Sequence, residues 1–230
     1  MTLTFEPMAP ILAPTTKGES FPVRRLFCIG RNYAAHAREM GRDPDREPPF
    51  FFTSWAETIV PDGSVIAYPQ STTDYHYEIE LVIAIGASGR NVPVEDAPGL
   101  IYGYAVGLDM TRRDLQLQAR ETGRPWDAGK NVEQSKPLGP IYPASELDPS
   151  KGAITLDVNG TRKQTGDLAE LIWSVPEIVA HVSAFYRLEP GDLIFTGTPA
   201  GVGPVVQGDT LVGAIDGLGK LTVTVGPPAH

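Results

Sequence analysis

Short apolar runs, punctuated by Gly, Pro and Asp, set the texture of the chain from Arg25 onward. Runs of this length and composition read as strands, predicted at 25–29, 50–53, 77–86, 103–109, 153–159, 192–196, 210–215 and 220–225. Within Leu156-Asp157-Val158-Asn159-Gly160-Thr161, the Asn-Gly pair predicts a two-residue hairpin turn. Helices are fewer. Ser174-Val175-Pro176-Glu177 has the form of a capping box, opening a stretch with Val175, Ile178, Val179, Val182, Phe185 and Tyr186 at helical spacing. A second helix is predicted over 111–122, with Thr111 as N-cap and Gly123 just past its end. A short third runs from about Asn32 to Met40 and closes at Gly41. No βαβ alternation and no Gly-rich phosphate loop appears, so the pattern predicts a mainly β (α+β) fold with a few peripheral helices. Residues 1–22, rich in proline and poor in periodicity, predict an N-terminal arm ahead of a single domain over 23–230.

Three acids break this pattern. Glu78 and Glu80 interrupt the apolar run Tyr77 to Ile85, and strand alternation puts both on one face, with Ile79, Leu81 and Ile83 on the other. Asp109 ends a second apolar run, Tyr104 to Leu108. Carboxylates converging from two hydrophobic strands repel one another unless a cation or protons compensate. An all-oxygen donor set without cysteine suits one hard divalent ion, Mg²⁺ or Mn²⁺. The chain therefore reads first as a metal-dependent enzyme.

Composition narrows the partners. A chain of 230 residues has room for a full core, and its net charge of −9, with no basic stripe, argues against nucleic acid and anionic membrane. The lone Cys28, inside Leu26-Phe27-Cys28-Ile29, reads as a buried, inert thiol. No stretch approaches the length of a membrane span and the N-terminus lacks a signal-peptide pattern, so the cytoplasm is the expected location.

If 32–40 is helical, His36 and Glu39 share a face, and a carboxylate beside an imidazole suits activation of a water. By spacing alone the pair reads first as an ordinary surface contact. His76 shares strand parity with Glu78 and Glu80, which raises a His-carboxylate metal site as an alternative. Trp126 and Trp173 read as core or interface residues.

The phrases GRNYAAHAREMG, YEIELVIAIG, GYAVGLDMTRRDLQ, GKNVEQSKPLGP and PGDLIFTGTPAGVGPV, in this order over roughly residues 24 to 225, resemble signatures of the fumarylacetoacetate hydrolase family. Within it the chain most resembles bacterial acylpyruvate and fumarylpyruvate hydrolases. The resemblance implies the family's mixed β-sandwich roll and places Glu78, Glu80 and Asp109 at the metal-ligand positions. It makes His36 and Glu39 the water-activating dyad and Lys130 the cation beside the metal. It puts Arg113, Gln116 and Thr198 against the substrate, with Arg31 and Tyr33 as further pocket residues, and makes His76 a supporting residue rather than a ligand. The implied reaction is hydrolysis of a β-diketo acid, fumarylpyruvate to fumarate and pyruvate as in gentisate breakdown, by a homodimer. Decarboxylation of oxaloacetate-type acids, isomerisation of hydroxy-dienedioates and non-catalytic ligand binding are the alternatives. Relatives usually have Lys-Pro where this chain has Ser54-Trp55, so these two residues are expected to alter the pocket at the acyl end.

Overall fold

The computed structural model describes residues 3–34 and 48–228. The predicted helix over 32–40, and with it His36 and Glu39, lies largely outside them. Among the described residues the principal sheet has eight strands. Its order is β4 (Phe50–Ser54), β3 (Arg25–Gly30), β15 (Asp192–Phe195), β8 (Ile79–Ile85), β9 (Ile101–Leu108), β11 (Lys136–Leu138) and β5 (Ile59–Pro61), with β12 (Tyr142–Pro143) also on β9. A second sheet runs β14 (Thr161–Asp167), β13 (Ala153–Val158), β17 (Thr210–Ile215), β18 (Lys220–Pro228) and β6 (Val65–Tyr68). A small third sheet joins β10 (Thr111–Arg112), β7 (Tyr75–Tyr77) and β16 (Gly203–Pro204). The mainly β fold with few peripheral helices is as expected.

Every residue of β8 is buried, because the strand is covered on both faces. Ile79, Leu81 and Ile83 pack in the core shared with Ile154, Leu156, Leu211 and Leu221 of the second sheet. Val82 and Ala84 face the opposite way, against Leu26, Cys28, Ala105, Leu193 and Phe195. Double coverage explains why the run reads as nearly continuous hydrophobicity. It also leaves the Cys28 thiol inert, since burial holds its pKa well above the ordinary value.

Four expectations change. The strand predicted over 77–86 is two strands, broken at Glu78, because Tyr75–Tyr77 pairs with β10 and β16 while β8 pairs with β9 and β15. Residues 12–22 do not trail as an arm. They form a hairpin of β1 (Leu12–Pro14) and β2 (Ser20–Pro22) whose Ala13 and Phe21 cover the second face of the large sheet. Three-residue strands are too short to show periodicity. Thr111 is not an N-cap: it pairs in β10, and α1 (Arg113–Glu121) begins after it. Its hydroxyl is used elsewhere, donating to the Asp109 carbonyl and accepting from Lys130. Phe185 and Tyr186, placed on the buried stripe of α3 (Val175–Phe185), stay 59% and 41% exposed beside Phe51.

The turn and capping signals hold. Asn159 and Gly160 both have positive φ and close the β13–β14 hairpin. The Ser174 amide and hydroxyl both donate to the Glu177 carboxylate, at 2.9 and 2.7 Å, at the start of α3.

Gly107 lies opposite Glu80 in the β8–β9 register. A Cβ there would sit 2.5 Å from Val82 Cγ2 and 2.8 Å from Phe195 Cε1. Gly107→Ala is therefore expected to destabilise the fold by about 1–3 kcal/mol through overpacking. Urea denaturation should show a lower midpoint with an unchanged slope.

Candidate active site

Glu78 sits in the corner between β7 and β8, Glu80 is the second residue of β8, and Asp109 directly follows β9. The Asp109 amide donates to the Glu78 carbonyl at 2.9 Å, which ties the two strand ends together. One carboxylate oxygen from each acid lies within 4.8 Å of the others, and all three residues are buried.

Helices and turns after β9 bring cations to these acids. α2 (Asp127–Lys130) ends on Lys130, whose ammonium lies 2.9 Å from Glu78 Oε2, 3.0 Å from Asp109 Oδ2 and 2.7 Å from Thr111 Oγ1. Lys136, fully buried at the start of β11, pairs with Asp109 Oδ1 at 2.8 Å and donates to the Lys130 carbonyl at 2.9 Å. Arg113 opens α1, pairs with Glu78 through Nη2, and donates from Nη1 to Gln116 Oε1. Its Nε reaches His76 Nδ1 at 3.4 Å, and His76 Nε2 meets Asp74 Oδ1 at 2.7 Å. Burial, and then the Arg113 charge, hold the His76 pKa below the usual histidine value, so the ring stays neutral and supports Arg113.

Burial draws the Lys130 pKa down, but Asp109 and Glu78 outweigh it and hold the value above that of an ordinary lysine. Glu80 is different. It accepts a hydrogen bond from the Gly197 amide at 2.8 Å, and no cationic side chain among the described residues lies within ion-pair distance. Burial first, then Asp109 and Glu78, push its pKa well above the usual carboxylate range. A buried carboxylate beside two others, with its own cation missing, is the donor set a hard divalent ion fits.

These residues floor a cleft on the surface of the protein. Arg113, Gln116, Leu117 and Arg120 project into it from one face of α1. Gly197 and Thr198 lie in the loop after β15, Arg31 follows β3, and Phe50, Phe52 and Trp126 form an aromatic wall. The structure thus brings together Glu78, Glu80, Asp109, Lys130, Arg113, Gln116, Thr198 and Arg31. Tyr33 does not join them: it is a core residue, 1% exposed, pairing with Leu171, and burial pushes its pKa up. His36 and Glu39 lie outside the described residues.

The expectation for Ser54-Trp55 is also corrected. Ser54 is buried and donates to Asn131 Oδ1 at 2.7 Å, while Trp55 is 56% exposed and does not line the cleft. The apolar bulk of the cleft comes instead from Phe50, Phe52 and Trp126, so Trp126 is a pocket residue rather than part of the core.

A family model for the fumarylacetoacetate (FAA) hydrolase C-terminal domain matches residues 25–226. The chain belongs to the fumarylacetoacetate hydrolase family. It is 52% identical over 190 residues to fumarylpyruvate hydrolase of Ralstonia sp., covering 82% of this chain and 99% of that protein. It is similar to the crystal structure of fumarylpyruvate hydrolase from Pseudomonas aeruginosa in complex with Mn²⁺ and pyruvate, at TM-score 0.95 and 54% identity, covering 98% and 100% of the two chains. Human oxaloacetate tautomerase FAHD1, mitochondrial, is 39% identical over 208 residues, covering 90% of this chain and 94% of that protein. No helix among the described residues is long and apolar enough to cross a membrane.

Sequence reasoning missed several residues that hold this family site in shape. Lys136 stood inside a quoted phrase, and a lysine within the short apolar strand Lys136-Pro137-Leu138 was a usable signal. Asn32 left no such signal; its side-chain amide donates to the Trp173 and Thr196 carbonyls and accepts from the Trp173 amide. Gln164 is equally silent, since it alternates in a polar strand. It is fully buried: Oε1 accepts from the Ile79 amide at 3.0 Å, and Nε2 donates to Thr198 Oγ1 and the Pro199 carbonyl, both at 2.9 Å. It thereby joins the second sheet to the strand bearing Glu80 and to the Thr198 loop.

Gln164→Leu would leave the Ile79 amide and the Pro199 carbonyl without this partner. The expected cost is about 1–3 kcal/mol of stability, read as a lowered urea midpoint. A midpoint equal to that of the wild type would show that water replaces the amide.

Proposed function

We propose that this chain is a metal-dependent hydrolase that cleaves a carbon–carbon bond in a β-diketo acid, converting fumarylpyruvate and water to fumarate and pyruvate. The observation that carries this is Glu80, buried among acids without a cation of its own beside a charged lysine, in a chain 52% identical to a fumarylpyruvate hydrolase. Glu78, Glu80 and Asp109 would hold one divalent ion, Mg²⁺ or Mn²⁺, which supplies a Lewis acid for the keto-acid end of the substrate. The net charge supports the fit. The three acids are offset by Arg113, Lys130 and Lys136, so a divalent ion leaves an excess of positive charge that matches the two carboxylates of fumarylpyruvate.

The protein's own groups divide the remaining work. His36, oriented by Glu39, takes a proton from water as the water oxygen bonds to the distal carbonyl carbon. The bond between that carbon and its neighbour on the pyruvate side then breaks, and its electron pair becomes a pyruvate enolate. A proton returns to the enolate carbon to give pyruvate. Lys130, held charged by Asp109 and Glu78, presents N–H donors where enolate charge develops. Thr198 Oγ accepts from Gln164, which leaves its own hydrogen to donate to the substrate carboxylate. Gln116 accepts from Arg113 through Oε1, so its amide nitrogen is turned toward substrate as a donor. The same proposal has the protein acting as a cytoplasmic homodimer in gentisate-type aromatic breakdown, on the strength of the family resemblance.

A second reading keeps the site and changes the chemistry, because relatives near 39% identity are oxaloacetate tautomerases. Enolate chemistry on oxaloacetate, decarboxylation included, needs the metal and Lys130 but no attacking water. Protein loaded with Mn²⁺ is expected to convert fumarylpyruvate to fumarate and pyruvate, and EDTA to abolish this. Glu39→Gln should lower the rate by about 100-fold or more. Turnover of oxaloacetate alone, or full-rate cleavage by Glu39→Gln, would sink the hydrolytic reading.

A further inference from the structure

The helix face that presents Arg113 and Gln116 continues outward to Leu117 and Arg120. Seven residues of helix separate the two arginines, a rise of about 10 Å. The cleft therefore has a cation at its inner end and another further out, with Phe50, Phe52 and Trp126 along the wall. The arginines are not equivalent. Arg113 is held by Glu78, Gln116 and His76, and the Arg31 guanidinium lies 5.0 Å over the Phe50 ring. Arg124, in the adjoining outer recess, is exposed to solvent. Arg120 is half-buried and lines the cleft, and no carboxylate among the described residues lies within ion-pair distance of it. Asp127, the acid lining the outer recess, accepts instead from Asn131 Nδ2 at 3.1 Å. A cation in the last turn of a helix is ordinary as a complement to the helix dipole. One that faces a substrate cleft without an acid of its own has a second use.

We propose that Arg120 is the specificity-determining residue for the far end of the substrate, pairing with a second carboxylate on the acyl arm. This deepens the hydrolase reading above and rests on it. The planar guanidinium fork matches a carboxylate in two parallel hydrogen bonds, and beside an aromatic wall that pairing is less screened than in open water. A neutral acyl arm offers Arg120 nothing to bind. The residue thus selects diacid acylpyruvates, such as fumarylpyruvate, over acetylpyruvate, whose arm ends in a methyl group.

The test compares both substrates on Mn²⁺-loaded wild-type, Arg120→Met and Arg120→Lys proteins. Arg120→Met is expected to lower kcat/KM for fumarylpyruvate by about 10- to 100-fold, mainly through KM. The loss with acetylpyruvate should be smaller by about 10-fold or more, and Arg120→Lys should recover part of the fumarylpyruvate rate. A parallel measurement without turnover is fumarate binding by calorimetry, which Arg120→Met should weaken while leaving pyruvate binding in place. Equal losses on the two substrates, or fumarate binding unchanged, would overturn the role of Arg120 and leave the hydrolase reading intact. A wild-type protein that cleaves neither substrate would instead overturn the hydrolase reading, and the inference with it.

Discussion

Three carboxylates inside a hydrophobic sheet are the constraint around which the surrounding elements are arranged. Glu78, Glu80 and Asp109 approach within 4.8 Å beside strands whose other residues are mostly apolar and buried. Left alone, such a cluster would be driven to take up protons or to open toward water. The segments after β9 answer this directly. β10 and α1 deliver Thr111 and Arg113, α2 delivers Lys130, and β11 delivers Lys136. The three cations offset the three acids in total charge, but they contact only Glu78 and Asp109, and Glu80 accepts from the Gly197 amide. In the proposed reading a divalent ion would complete the site beside Glu80, and its charge would then match an anionic keto acid.

Close backbone approach is what allows the charges to converge. Gly107 has no side chain where Val82 and Phe195 crowd the sheet beside Glu80. Gly197 takes a positive φ of 96° and passes against Asn32, and its own backbone amide donates to Glu80. Asn32 and Gln164 then fasten this loop from two sides, one to the 172–173 turn and one to the second sheet. The site is therefore held by buried polar side chains on elements far apart in the chain. Full satisfaction of such groups favours one arrangement over looser alternatives.

The cleft has a polar floor and an aromatic wall, and these separate two tasks. In the proposed reaction the floor provides charge for bond cleavage, which a carbon leaving group makes demanding. In the proposed reading the wall and the outer part of α1 meet the acyl arm. Phe50 and Phe52 come from the edge strand β4 and Trp126 from the residue before α2, so acyl preference can change without disturbing the acids.

Much of this was legible in one dimension because it depends on local pattern. Apolar runs, the Asn-Gly turn and the Ser174–Glu177 capping box predict their elements, since period, φ preference and short-range hydrogen bonds are local physics. The acids stood out for the same reason, as charges where the strand pattern demands hydrocarbon. Other features were not local. Whether residues 75–85 form one strand or two depends on which partners each half meets, and Thr111 became a strand residue because Asp109 and Lys130 use its hydroxyl. Ser54-Trp55 looked like pocket residues, yet the turn after β4 carries Trp55 outward and Trp126 fills the wall instead. The sequence by itself determined the strand grammar, the three candidate metal-ligand acids and the family. Only the tertiary structure decided which cations neutralise which acid, that Gln164 and Asn32 brace the site, and that Arg120 faces the cleft, because these are contacts between segments whose meeting no local period records.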